Sequence, residues 1–121
     1  MNKRHSNEFM ANIKEALSAV MTRVYLNEAP QTKTYPFCVF EADTMLNGFK
    51  ITVDIWGESG AENEADLLDQ ADLIEAALDG LIIANEYHTS MFASNQDRQW
   101  IRDEDPKIKR IQLSFYATYQ S

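Results

Sequence analysis

Cys38 is the single cysteine of this 121-residue chain, and its thiol has the strongest intrinsic nucleophilicity among the side chains present. A reactive thiolate needs a cation or a helix N-terminus beside it, yet the neighbours Phe37, Val39 and Phe40 are apolar, so the thiol is expected to pack as a small core group. One cysteine forms neither an internal disulfide nor a cysteine-based zinc site. The two imidazoles, His5 and His88, stand far apart in sequence without a carboxylate pattern that would make a metal site or an acid-base pair. Gly57-Glu58-Ser59-Gly60 precedes a helical stretch, as phosphate loops do, but lacks the Gly-Lys-Ser/Thr ending, and the acidic helix behind it would repel phosphate. Glu62, Glu64, Asp66 and Asp69 do not follow a calcium-loop pattern, and Asp103-Glu104-Asp105 reads as a charged loop tip. These residues lead to an expectation of no catalytic residue, no metal and no cofactor, and a small α+β enzyme ranks last among the function classes.

Charge carries more information. The formal net charge is -8, from 19 acids against 11 bases, which opposes a broad grip on nucleic acid and predicts no sequence-specific nucleic-acid partner. Between Lys50 and Arg98 there are eleven carboxylates and no base; the rest of the chain holds eight acids and all eleven bases. Arg98, Arg102, Lys107, Lys109 and Arg110 form the one basic concentration, with Trp100 inside it and three acids interrupting it. An aromatic among bases can serve single-stranded nucleic acid, but the acids favour a protein partner equally. Opposite charge blocks on one chain choose and orient partners.

The elements that would position these groups fit one domain, residues 1–121, of 13.9 kDa. With 45% hydrophobic and 25% charged residues, the composition is that of an ordinary folded protein. No apolar run reaches the roughly 20 residues needed to span a bilayer, and the basic start leads into an amphipathic stretch instead of a signal core, so no membrane partner and synthesis in the cytoplasm are expected.

Phe9, Ile13, Ala16, Leu17, Val20 and Val24 recur at helical spacing, predicting a helix over 7–22 with Ser6 as N-cap and Glu8 in its first turn. A short β piece over 23–26 and a polar loop over 27–34 follow, then a strand over 35–41 with Pro36 in its first rungs. The Asn47-Gly48 turn signal leads to a strand over 49–56, with Phe49, Ile51, Val53 and Ile55 on one face and Lys50, Thr52, Asp54 and Trp56 on the other. The two strands form a hairpin whose connection, 42–48, is longer than the tightest type. Gly57 to Gly60 breaks the strand ahead of a helix over 61–79 that Gly80 terminates. Its core stripe is Leu67, Ala71, Ile74 and Leu78; the opposite side carries Glu62, Asp66 and Asp69 with Leu73 among them. A strand over 87–94, a charged loop or hairpin tip over 95–105 and a long half-buried strand from 111 to the C-terminus complete the reading. The fold class is α+β: a mainly antiparallel sheet with two helices packed on one face, in the order α-β-β-β-α-β-β. Trp56 and Tyr116 then lie on the sheet face opposite the apolar stripes, where aromatics mark protein interfaces.

In this order the N-terminal helix, Tyr35-Pro36-Phe37 opening a strand, Val53-Asp54-Ile55-Trp56 closing the next, the Ala- and Leu-rich helix and the long final strand resemble the tail terminator, or tail completion, proteins of long-tailed bacteriophages and prophages. The resemblance covers nearly the whole layout, with no matching motif between 85 and 107. It implies a non-enzymatic structural subunit, assembled as a hexameric ring, that caps the tail tube, stops its polymerisation and prepares head-tail joining. Its implied partners are copies of itself, the tail tube protein and head-tail connector proteins, and its place is the virion tail after assembly in the host cytoplasm. The charge blocks suggest how a ring would close: the helix face around Asp66, Asp69 and Leu73 would meet the region of Arg98, Trp100, Arg102 and Arg110 on the adjacent subunit, with Trp56 and Tyr116 as further contact candidates. Charge reversal at Asp66 and Asp69 would then break the ring. The alternatives are another head-tail neck component, and an acidic DNA-mimic inhibitor acting as a monomer or dimer.

Overall fold

Alternating apolar residues build this sheet, and two amphipathic helices close its apolar side. The structure, a computed structural model, describes residues 3–31, 33–45, 48–84 and 89–120. The elements are α1 (Lys3–Ser18), β1 (Val24–Leu26), β2 (Phe37–Met45), β3 (Gly48–Glu58), α2 (Ala61–Leu78), β4 (Ile82–Ala84), β5 (Thr89–Arg102) and β6 (Ile108–Gln120). Six strands form one sheet in the order β1-β2-β3-β6-β5-β4. Every neighbouring pair is antiparallel except β1 with β2. The α+β class is as expected, and β4 adds a three-residue strand after α2.

The core lies between this sheet and both helices. Phe9, Ile13 and Leu17 from α1 and Leu67, Ala71, Ile74 and Leu78 from α2 meet Phe40, Ile51, Val53, Ile55, Ile111 and Phe115, all essentially solvent-free. The α2 stripe buries as its 3.6-residue spacing requires, and the period-2 residues of β3 and β6 bury as theirs does. Phe9 stacks on Phe49 at 4.4 Å between ring centroids.

Several boundaries differ from the sequence reading. Helix α1 already contains Ser6, so Ser6 is not the N-cap, and no acid stands in the first turn. At its other end, helical hydrogen bonds continue as far as the Met21 amide, which donates to Leu17 at 2.9 Å. Pro36 precedes β2 instead of lying in it, and its carbonyl accepts from Arg23 Nε at 2.9 Å. The β2–β3 link is tighter than expected, since Met45 pairs with Gly48; residue 47, half of the expected turn, lies outside the described residues. Strand β3 runs through Gly57 instead of breaking there. A Cβ at Gly57 would sit 2.7 to 2.9 Å from the side chain of buried Leu67, so this glycine lets α2 approach the sheet closely. The real break is Gly60, at φ 120, whose amide donates to Glu64 Oε2 at 3.1 Å. Gly80, at φ 74, ends α2 as expected.

The largest difference is β5. Residues 95–102, expected as part of a charged loop or hairpin tip, belong to strand β5, which pairs with β6 from Asp97↔Ser114 out to Arg102↔Lys109 after a register shift between Ser94 and Asp97. The hairpin tip is the shorter 103–107, braced where the Ser59 amide donates to Lys107 O at 2.7 Å. Residues 87 and 88, where the preceding strand was expected to begin, lie outside the described residues.

Cys38 is fully buried in the core cluster, and burial pushes its thiol up from 9.0 to about 12. In native protein at pH 8 the thiol is therefore expected to resist a disulfide reagent such as DTNB and to titrate at once on addition of denaturant. Above pH 9 the unfolded chain sheds a proton that the native thiol holds until about pH 12. The Cys38 contribution to stability is thus complete below pH 9 and falls as pH rises through that window.

Candidate functional site

The outer sheet face is not the plain polar surface that alternation suggests. Pairing register lines up Phe37, Trp56, Arg110 and Ile101 in one row across β2, β3, β6 and β5. Phe37 and Trp56 stack at 5.2 Å with 9° between their planes, and the Arg110 guanidinium lies 5.0 Å from the Trp56 ring centre. Tyr35 packs on Phe37 at 5.3 Å, and Lys33 Nζ sits 5.8 Å from the same ring. Arg110 Nε and Gln112 Nε2 each donate to Asp54 Oδ1 at 3.1 Å, so this carboxylate, on a side chain only 12% exposed, lies in a fixed network. Phe37 and Val39 are buried although they face away from both helices.

The cover over them is the connection between the parallel strands β1 and β2. It must cross the sheet, and it crosses on the outer side, where Asn27, Glu28, Ala29, Lys33 and Tyr35 line a groove of about 330 Å³ with Phe37, Val39, Trp56 and Ile108. Arg23 anchors its far end by donating to the carbonyls of Tyr35 and Pro36. Phe37, Asp54 and Lys33 are thus members of the site that sequence reading missed. The cross-strand register was the signal that could have found them.

On the helix side, Asp66, Asp69 and Leu73 lie on the exposed surface of α2, with Leu73 47% and Leu68 39% exposed. Arg98, Trp100 and Arg102 lie on the helix-facing side of β5, since Arg98 stands opposite Leu113 and Trp100 opposite Ile111. A groove of about 630 Å³ runs beside them, lined by Glu64, Trp100, Arg102, Pro106 and Lys109 among others.

The expected site residues therefore do not form one site. Trp56 and Arg110 come together; Tyr116 shares their face but stands six residues along β6, about 20 Å away. Two of the bases expected to meet a neighbouring subunit have partners in their own chain. Arg98 donates to Asp72 Oδ1 at 2.9 Å and to Glu75 Oε2 at 2.6 Å on α2, and Arg110 is held by Asp54. Arg102 and Trp100 remain exposed. Among the described residues no three of His, Cys, Asp and Glu converge as metal ligands. His88 and the side chain of His5 lie outside the described residues. No helix is long and apolar enough to cross a membrane among the described residues.

No family model matches the sequence, and no curated protein does. Among solved structures, a chain from the virion of a native gene transfer agent particle superposes with a TM-score of 0.67 at 18% identity, covering 87% of this chain and 84% of that one. This chain therefore has the fold of a protein built into that virion.

Proposed function

We propose that this chain is a structural subunit of a phage-type virion, one segment of a ring that caps the tail tube, ends tube polymerisation and prepares the tail for head joining. The observation that carries the reading is the fold shared over most of both chains with a component of a gene transfer agent virion. The surface chemistry supports it. An acidic helix surface with two exposed leucines and a hairpin flank with exposed Trp100 and Arg102 are unlike patches, suited to contacting different neighbours in an assembly. With Arg98 and Arg110 engaged internally, the acidic α2 surface serves the tube or a connector protein better than an adjacent copy of the hairpin.

The test is electron microscopy of the purified protein mixed with tail tubes of its own phage. Rings at one tube end, with tube length no longer increasing, are the expected result. Binding to head portals with no affinity for tubes would place the chain in the neck instead, and a monomer that ignores both would overturn the virion reading.

A further inference from the structure

The two outermost strands, β1 and β4, are three residues long each. Strand β1 covers β2 only along Cys38–Phe40, and β4 covers β5 only along Thr89–Met91. Among the described residues no strand pairs with Glu41–Met45 on the side away from β3, and none pairs with β5 beyond Met91 on the side away from β6. A long strand paired on one side only is a template for another strand.

The register fixes where these open stretches lie. Phe40, Val53, Leu113 and Arg98 share one row, and β1 reaches that row from the end at which β2 begins. Strand β4 lies at the opposite end, beside Thr118 to Gln120. The short strands thus fill diagonally opposite corners and leave two diagonally opposite steps, one edged by Glu41–Met45 and the other by Arg98–Arg102. Strands β2 and β5 also run in opposite directions, because each of the three pairings between them is antiparallel.

We propose that this chain binds a second copy of itself by adding the Glu41–Met45 edge of one copy to the Arg98–Arg102 edge of the next as an antiparallel pair, continuing the sheet head to tail. The inference deepens the ring reading and rests on it for closure. A shift of four or six residues along the strands, about 13 or 20 Å, seats one step in the other with matching faces and with β1 and β4 at the margins of the contact. Both copies then keep their helices on the same side. Geometry favours this occupant: the two steps of one chain complement each other, and no like charges stand directly opposite across the contact, because Glu41 and Asp43 lie on the outer face and Arg102 on the helix-facing side. Trp100, 48% exposed on the helix-facing side, gains cover from the neighbour's β2 around Ala42. Because the contact is heterologous, it repeats, and the sheet twist decides whether the repeat closes.

Disulfide trapping tests the contact. Asp43 and its possible opposites Gln99 and Ile101 lie on the outer sheet face, so matching faces brings Asp43 beside one of these two. Chains carrying D43C with Q99C, or D43C with I101C, are oxidised at assembling concentration, with each single variant and the wild type, whose Cys38 is buried, as controls. Mass of the wild type in solution and its binding to tube ends are measured alongside. A ladder of covalent multimers from one double variant, absent from the controls, is expected, ending at the closed ring. Rings without that ladder, with L73C and W100C cross-linking instead, would overturn the edge contact and leave the ring reading standing. A ladder that runs on into open filaments would keep the edge contact and overturn the ring. A monomer at every concentration, alone and with tubes, would overturn both.

Discussion

Phe9→Ala is expected to remove about 3–5 kcal/mol of stability and to release α1 from the sheet. The ring is fully buried and stacked on Phe49, which belongs to the central strand β3. Alanine would leave a void that neighbours fixed in β3 cannot fill by moving. An isolated helix of 16 residues is marginal in water, so α1 persists because Phe9, Ile13 and Leu17 dock it. Denaturant unfolding followed by circular dichroism measures the loss. Amide exchange should show lost protection in α1 while β3 and β6 stay protected in the residual native state. Phe9→Leu keeps much of the volume and should recover most of the stability; if Phe9→Ala unfolded no more easily than the wild type, α1 would not be part of the cooperative core.

That expectation depends on elements whose periodicity was legible. The α2 stripe of Leu67, Ala71, Ile74 and Leu78, and the alternation from Phe49 to Ile55 and from Ile111 to Ala117, bury as their spacing dictates. One apolar face packs on one partner in each, so local pattern and global packing agree. Strand β5 shows the opposite case. Its Arg98–Arg102 stretch has an arginine, a tryptophan and a second arginine on the side facing the helices, with no apolar alternation to read. It is a strand because β6 pairs with it, and Arg98 reaches back to Asp72 and Glu75, 23 to 26 residues away, to satisfy its charge. Glycine in a strand pattern reads as a breaker, but the use of Gly57 here is steric, and only the position of Leu67 reveals it. The candidate site was legible in composition but not in grouping. Trp56 and Arg110 are 54 residues apart in sequence, and the β3–β6 register joins them.

Phe37→Ala is the second large loss expected, again about 3–5 kcal/mol. The reason differs from that for Phe9, since Phe37 stands outside the main core, under a loop on the open sheet face. Tyr35, Trp56 and Tyr25 all contact its ring, at 5.3, 5.2 and 6.2 Å between centroids. Deleting it removes the floor on which the 27–36 connection rests and exposes one face of Trp56. The tryptophan emission should shift to longer wavelength in the native baseline, before any unfolding. Trp100, already half exposed, contributes little to such a shift. Phe37→Leu separates the two contributions: it keeps an apolar floor but loses the ring stack, and stacking beyond burial is worth about 0.5–1.5 kcal/mol. A Phe37→Ala protein with unchanged emission and unchanged unfolding midpoint would mean that the loop holds its place through Arg23 alone. The outer face would then be an ordinary solvated surface. If both changes appear, the face is a second, smaller packed layer, and Trp56 with Arg110 is held rigid at the centre of the sheet whose two edges are proposed to meet neighbouring copies.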